Sequence, residues 1–423
     1  MSTLLRGATV VDLEPACVEV ADLRIDGDRI VERATVLEPR PGDEVIELRG
    51  KLLFPGLVSA HHHFTSTLLR GAPRVGTGFA AEQHARHRLA EVIDGDQLQA
   101  ATTAGALEGL QAGTTTVFNV HASGAHVAGS LSRVAHGLNG VGLRAVLGYL
   151  VSERGGAQAR QAALEENLDY VARAKGRFRG AFAAESLASL SEEGLGSLDD
   201  ALRRTGAMLL ATLAEDPAEE RESRDRFNAT AAERLVARGM TGSRVVLAQG
   251  VHLSWPELSE LISAGTWLAH AARSNMSSAT GRAAAGKFGV RACLGTDVMS
   301  LDVFAEVQAA ALRANDSGQP IDALRFLANG HRLATEAFGL PVGPLQPGAV
   351  ADLMVLDYHP PTPLDAQTLA AHVLHGLSGR LVESVMVDGL WRLWKRKSLA
   401  LDAVEVARAS AEAAKAAWAL MKG

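Results

Sequence analysis

"PGLVSAHHHFTSTLLRG", Pro55–Gly71, joins a compact apolar run to three consecutive histidines, His61, His62 and His63. Successive residues of a strand point to opposite faces, so His61 and His63 share one side and His62 takes the other. A His-x-His pair of this kind reaches one metal ion together, yet one short loop does not supply a full ligand set. The remaining ligands must come from other strand ends, so the architecture that gathers those ends is the first question.

From the histidines onward, short apolar strands alternate with Ala- and Leu-rich helical stretches such as 96–113, which ends at Gly113. Eight strands are expected: Leu53–Ala60, Thr115–Val120, Arg144–Tyr149, Gly180–Ala184, Met208–Thr212, Val245–Gln249, Trp267–His270 and Arg291–Gly295. Eight parallel strands separated by helices specify an α/β fold, a (β/α)8 TIM barrel. Outside this region the pattern differs. Residues 1–50 read as short strands with a hairpin at Gly27-Asp28, and "VESVMVDGLWRLW" (382–394) reads as a second hairpin through Asp388-Gly389. Both ends of the chain are therefore expected to build one small composite β-sandwich domain. The expected divisions are 1–54 and 341–400 for that domain, 55–340 for the barrel, and 401–423 for a closing helix centred on 402–421.

Composition narrows the function classes. The 423 residues are 47% hydrophobic but only 4% aromatic, so the core rests on Ala, Leu and Val. The net charge of −6 is dispersed, which argues against a nucleic-acid partner. No run approaches the ~20 apolar residues of a membrane span, and the N-terminus lacks the apolar stretch of a signal peptide. Cys17 and Cys293 are far apart and imply no disulfide framework. The chain is expected to be cytoplasmic and homo-oligomeric.

A barrel places its chemistry at the C-terminal ends of its strands. There the expected strands present His61 and His63; Asn119 and His121; Glu185; Thr212 with Glu215 three residues on; Gln249; His270, then Arg273 and Asn275; and Asp297. A lone histidine at a strand end is more often a structural hydrogen-bonding residue than a ligand. The His-x-His pair together with a late aspartate outweighs that bland reading.

"PGLVSAHHH" after a small β-domain, "HAARSNM" (270–276), "LGTDVMSLDVFAEV" (294–307) and the closing "GAVADLMVLD" together resemble the amidohydrolase superfamily, in its aminohydrolase branch. The resemblance covers essentially the whole chain. It implies hydrolysis of non-peptide C–N bonds in a small purine-, pyrimidine- or triazine-like substrate by water activated on one divalent metal, zinc or iron. It implies His61, His63 and Asp297 as metal ligands, with Asp297 also catalytic and Glu215 as proton shuttle. His121, Glu185, His270, Arg273 and Asn275 are the expected substrate contacts.

Departures from the family pattern fall on the same ring of positions. The fifth-strand ligand position reads Thr212, and the sixth-strand histidine position reads Gln249. Gln249 retains a hydrogen-bonding role at the catalytic centre but carries no charge and exchanges no proton. Two readings follow: a hydrolase with a thinned, three-ligand metal site, or an inactive binding or assembly subunit that has lost its metal.

Overall fold

The computed structural model describes residues 2–73 and 76–422, with the backbone alone of Glu185. Eight parallel strands form one sheet: β1 (Leu57–His62), β2 (Thr114–His121), β3 (Arg144–Val151), β4 (Phe178–Ser186), β5 (Met208–Leu213), β6 (Val245–Gln249), β7 (Trp267–His270) and β8 (Ala292–Leu294). They pair in sequence order, and a parallel bridge between His62 and Asp297 brings the last strand end back to the first. Both expected hairpins form, between Ala16–Asp26 and Arg29–Ala34 and between Val382–Val387 and Leu390–Trp394. With the other terminal strands they make one nine-stranded mixed sheet.

The expected first strand divides in two. Leu52–Pro55 joins the terminal sheet, pairing with Thr9–Val10 and with Leu353–Leu356, while Leu57–His62 opens the barrel. Gly56 marks the crossing. A Cβ there would stand 2.3 Å from Thr115 Oγ1, so the backbone passes where no side chain fits.

The barrel strands alternate in the manner period-two burial requires. Phe118, Val120, Val146, Ala181, Ala183, Leu210, Val246, Ala248 and Trp267 fill the interior. Their neighbours Val117, Leu147, Phe182, Leu209, Leu247 and Leu268 pack outward against the helices. Alanines and valines supply most of these positions and leave room for Phe118 and Trp267 in a narrow bore. The closing helix runs Ala403–Met421, capped by Asp402, and Trp418 donates its indole N–H to Leu68 O at 2.6 Å. Among the described residues no helix is long and apolar enough to cross a membrane.

Candidate metal centre

The strand that carries the histidines does not alternate cleanly. Val58 and Ala60 lie in the barrel interior, so simple alternation would send His62 inward and His61 out. A register irregularity between Ser59 and His62 shifts the phase, as a bulge does. His62 instead turns to Thr296, with its Nδ1 3.0 Å from Thr296 Oγ1, and stacks edge-on against Phe64. His61 and His63 are thereby freed to meet Asp297. The expected separation of His62 from its two neighbours is what the structure places there.

Asp297 follows β8 at a left-handed φ of 47°. Its backbone is laced to β1: Asp297 N–H donates to His61 O at 3.0 Å, and His63 N–H donates to Asp297 O at 3.1 Å. The side chains converge. His61 Nε2 and His63 Nε2 are 3.2 Å apart, and they lie 3.4 and 3.3 Å from Asp297 Oδ1. All three residues are buried.

A tetrahedral ion held at about 2.0–2.1 Å keeps its ligands about 3.3–3.4 Å apart. The observed triangle has that size. Its chemistry also fits, with two imidazoles and one carboxylate. Asp297 Oδ1 is buried and takes no hydrogen bond of good geometry among the described residues. Burial pushes the Asp297 carboxyl up, but the His61 and His63 rings and the Arg86 guanidinium overcome this and hold it well below its usual value. Burial, with Arg86 next in weight, drives the His63 ring far below its ordinary range, leaving the neutral form a metal requires.

The second carboxylate oxygen is fixed from outside the triangle. Gln249 Nε2 donates to Asp297 Oδ2 at 3.1 Å, and Ser274 Oγ donates to the same oxygen. Gln249 also has a left-handed backbone, φ 78°, as does Ala214 beside Glu215, φ 51°. Backbone strain of this kind at three strand ends clusters where the chain positions functional groups.

The other expected residues fall in different places. Thr212 and Glu215, at the end of β5, line a cavity of about 570 Å³ with Gln83, His87 and Ser186. The side chain of Glu185 lies outside the described residues. His121 and His270 follow the outward phase of their strands. His121 Nε2 is 2.9 Å from Ser123 Oγ with its ring edge on Tyr149, and the His270 ring meets Phe288. Both rings therefore lie in the layer between strands and helices, and His270 lines a small pocket there together with Asn275. Arg273 is held by partners within the protein. Its Nε donates to Glu306 at 2.6 Å and its Nη1 and Nη2 to Ser300, so the guanidinium braces the scaffold. Asn275 is buried, and neither amide atom has a partner among the described residues.

Two contributors were not expected. Ser274 sits within "HAARSNM" but carries no spacing signal of its own. Arg86 comes from α1 (Gly78–Val92), where Nη2 lies 3.0 Å from His63 Nε2 and 3.3 Å from Nδ1. One turn earlier, Ser278 Oγ donates to Glu82 at 2.6 Å and ties α1 to the segment after β7. Glu82, Gln83, Arg86 and His87 recur at helical spacing, but a polar stripe of that kind reads in sequence as a solvated face.

An eight-stranded parallel barrel with a His-x-His pair at its first strand end and a facing aspartate at its last defines a barrel protein with a candidate mononuclear metal centre. The chain belongs to the amidohydrolase family, whose sequence profile matches residues 52–392. It is 30% identical to a 5-methylthioadenosine/S-adenosylhomocysteine deaminase of Halobacterium salinarum, over 92% of this chain and 93% of that one. It is 27% identical to a 5'-deoxyadenosine deaminase of Methanothermobacter thermautotrophicus, over 92% of each. Among solved structures, a zinc-bound adenosine deaminase from Xanthomonas campestris superposes with a TM-score of 0.85 at 21% identity, covering 98% of both chains. A zinc complex of atrazine chlorohydrolase from Arthrobacter aurescens gives 0.85 at 20% identity, covering 97% of this chain and 100% of that one. These two likenesses speak to the fold.

Proposed function

We propose that the chain is a hydrolase that removes an amino group from a purine-like or related nitrogen heterocycle, with one divalent metal, zinc or iron, held by His61, His63 and Asp297. The observation that carries this reading is the triangle of ligand atoms, 3.2–3.4 Å on each edge. When bound, such an ion makes hydroxide available by lowering the pKa of water from ~15.7 toward ~7.

The protein's own residues do the rest. Gln249 and Ser274 fix the Asp297 carboxylate so that Oδ1 faces the histidines. Glu215 borders the 570 Å³ cavity, a size that accepts a nucleoside-like molecule. As proton shuttle it takes the proton of the attacking water and passes it to the leaving nitrogen. Water adds to the ring carbon, the C–N bond breaks, ammonia departs and a ring carbonyl remains. Gln249 Oε1 is a buried polar atom with no partner among the described residues, on the side chain that also holds Asp297, and is suited to a hydrogen bond with the substrate.

The test is metal content followed by ammonia release. Purified protein is expected to hold about one equivalent of zinc or iron, lost in His61→Ala/His63→Ala. Ammonia is then assayed with 5-methylthioadenosine, S-adenosylhomocysteine, 5'-deoxyadenosine, pyrimidines and triazines. Only trace metal after reconstitution would overturn the reading. Thr212 and Gln249, standing where the family pattern has histidines, favour the second reading, an inactive binding subunit; it predicts ligand binding without ammonia.

A further inference from the structure

We propose that the substrate is an amino-heterocycle carrying a bulky apolar arm, and that the arm lies in a second cavity beside the one Glu215 borders. This rests on the deaminase reading above and names a substrate feature which that reading leaves open.

Two cavities adjoin at the C-terminal end of the barrel. The first, of about 570 Å³, has Glu153, Glu215, Asp216, Glu222 and Arg226 on its wall. Gln83 Oε1, on the same wall, is buried and without a partner among the described residues. The second, of about 450 Å³, lies between α1, the segment after β2, the end of β3 and the helix Gly156–Arg173. His87, Ser152 and Arg154 border both cavities. A ligand with its ring in the first therefore extends into the second over that shared edge.

The two walls differ in chemistry. Ala122, Ala125, Val127, Leu150, Ala159 and Ala163 line the second cavity, with the Tyr149 ring. Its polar groups are engaged: Tyr149 Oη accepts from Ser123 N–H at 3.2 Å, Ser152 Oγ accepts from Arg154 N–H at 3.2 Å, and Glu91 pairs with Arg88 at 2.8 Å. No buried side-chain polar atom of this wall lacks a partner among the described residues. A polar arm would lose its hydration there for few new hydrogen bonds, whereas an apolar arm gains by leaving water. An amino-acid arm would have one exposed guanidinium, Arg154, at the edge of the chamber. A methylthio group would leave most of the 450 Å³ unfilled, so the wall suits a larger apolar group.

The experiment titrates the metal-stripped full chain by calorimetry, so that binding is read without turnover. The ligands are 5-methylthioadenosine, S-adenosylhomocysteine and 5'-benzylthio-5'-deoxyadenosine. The benzyl arm is expected to bind at least about tenfold tighter than either of the others. Ala159→Phe and Val127→Phe, two separate ways of filling the second chamber, should each cut that preference to about twofold or less, with thermal melts to establish folding. Equal affinity for the benzyl and methyl arms would overturn the proposal. So would tightest binding of S-adenosylhomocysteine, or a benzyl preference that both variants keep, because the arm would then lie elsewhere. With metal restored, a benzyl preference without ammonia release would sink the deaminase reading and leave the chamber standing. If none of the three binds, the adenosine head is wrong, and the same methyl and benzyl arms on an aminotriazine decide. No preference there overturns the proposal too.

Discussion

Gln249 donates its side-chain amide to Asp297, the carboxylate that completes the ligand triangle, with Nε2 3.1 Å from Oδ2. Both residues have left-handed backbones, at φ 78° and 47°, and both are buried. Val245 and Leu247 face the helices, so alternation would send Gln249 outward as well. Its side chain nevertheless reaches across to β8. Outer partners that orient a metal ligand are worth ten- to hundredfold in metal affinity. Gln249→Leu, which keeps bulk and removes the donor, should therefore weaken zinc binding about ten- to hundredfold in a chelator competition. An unchanged affinity would show that Asp297 is held well enough by Ser274 and its own backbone.

Gly295 leaves no room for a side chain against His61. A Cβ on Gly295 would stand 2.8 Å from His61 Cβ and 3.2 Å from His61 O. Gly295→Ala must push β1 and β8 apart where the triangle forms, and overpacking of this kind costs about 1–3 kcal/mol. The expected outcome is a modest fall in urea stability with a larger loss of zinc. Retained metal in a destabilised protein would mean that the strands give without moving the ligands.

The barrel was legible because period-two strands and helical stretches alternate eight times, and Val245–Gln249 and Trp267–His270 coincide with their expected bounds. Leu53–Ala60 was not, since an unbroken apolar run does not reveal that Gly56 passes it from one sheet to another. The pairing of His61 with His63 was readable from alternation. The phase shift between Ser59 and His62 that aims the pair was not, because it arises from pairing with β2. His121 and His270 were read as site residues from their place at strand ends, which does not tell which way each side chain turns; both turn toward the helix layer. Arg86 lay beyond reach because its meaning depends on where α1 docks.

The two parts of the molecule are joined by a buried charge cluster. Arg144 at the start of β3 donates to Asp352, from Nε at 3.0 Å and Nη2 at 3.3 Å, and also pairs with Asp388. Asp388 N–H donates to Asp352 Oδ1 at 2.7 Å. Asp352 is fully buried, and burial raises its carboxyl pKa against the pull of Arg144. Asp352→Ala strands the guanidinium and should cost about 3–5 kcal/mol in urea unfolding. Arg144→Met with Asp352→Leu should cost less than the single change, since replacing both charges leaves neither one buried alone. A larger loss in the double variant would count against that account.

Acid should destabilise the fold well before carboxylates titrate. Burial lowers the His121 ring to about 3 and the His270 and His331 rings to about 4. These groups stay neutral in the folded chain, while unfolded histidine binds a proton below about 6.5. The stability they leave intact above pH 6.5 is lost as pH falls toward 4, at about 1.4 kcal/mol per pH unit for each ring. His331 donates from Nε2 to Gly56 O at 2.8 Å, at the crossing between the sheets. His331→Asn should flatten the slope of stability against pH between 6 and 4.5 by about one proton's worth. An unchanged slope would mean that His331 is protonated in the folded chain.

Thr212 offers a direct way to rebuild the ligand set. Met208 and Leu210 face the barrel interior and Leu209 and Ala211 face the helices, so Thr212 falls in the inward phase of β5. It borders the 570 Å³ cavity, which gives an imidazole space that close packing would deny. A threonine hydroxyl is a poor zinc ligand, whereas a fourth nitrogen completes a tetrahedral set. Thr212→His should then hold zinc at least tenfold more tightly and slow its removal by EDTA. The pairing of β5 with β4 shifts register between Ala211 and Thr212. If that shift turns position 212 away from the triangle, the new histidine will leave zinc affinity unchanged. The fifth strand end would then be excluded as a source of ligands, and His61, His63 and Asp297 would stand as the whole protein contribution.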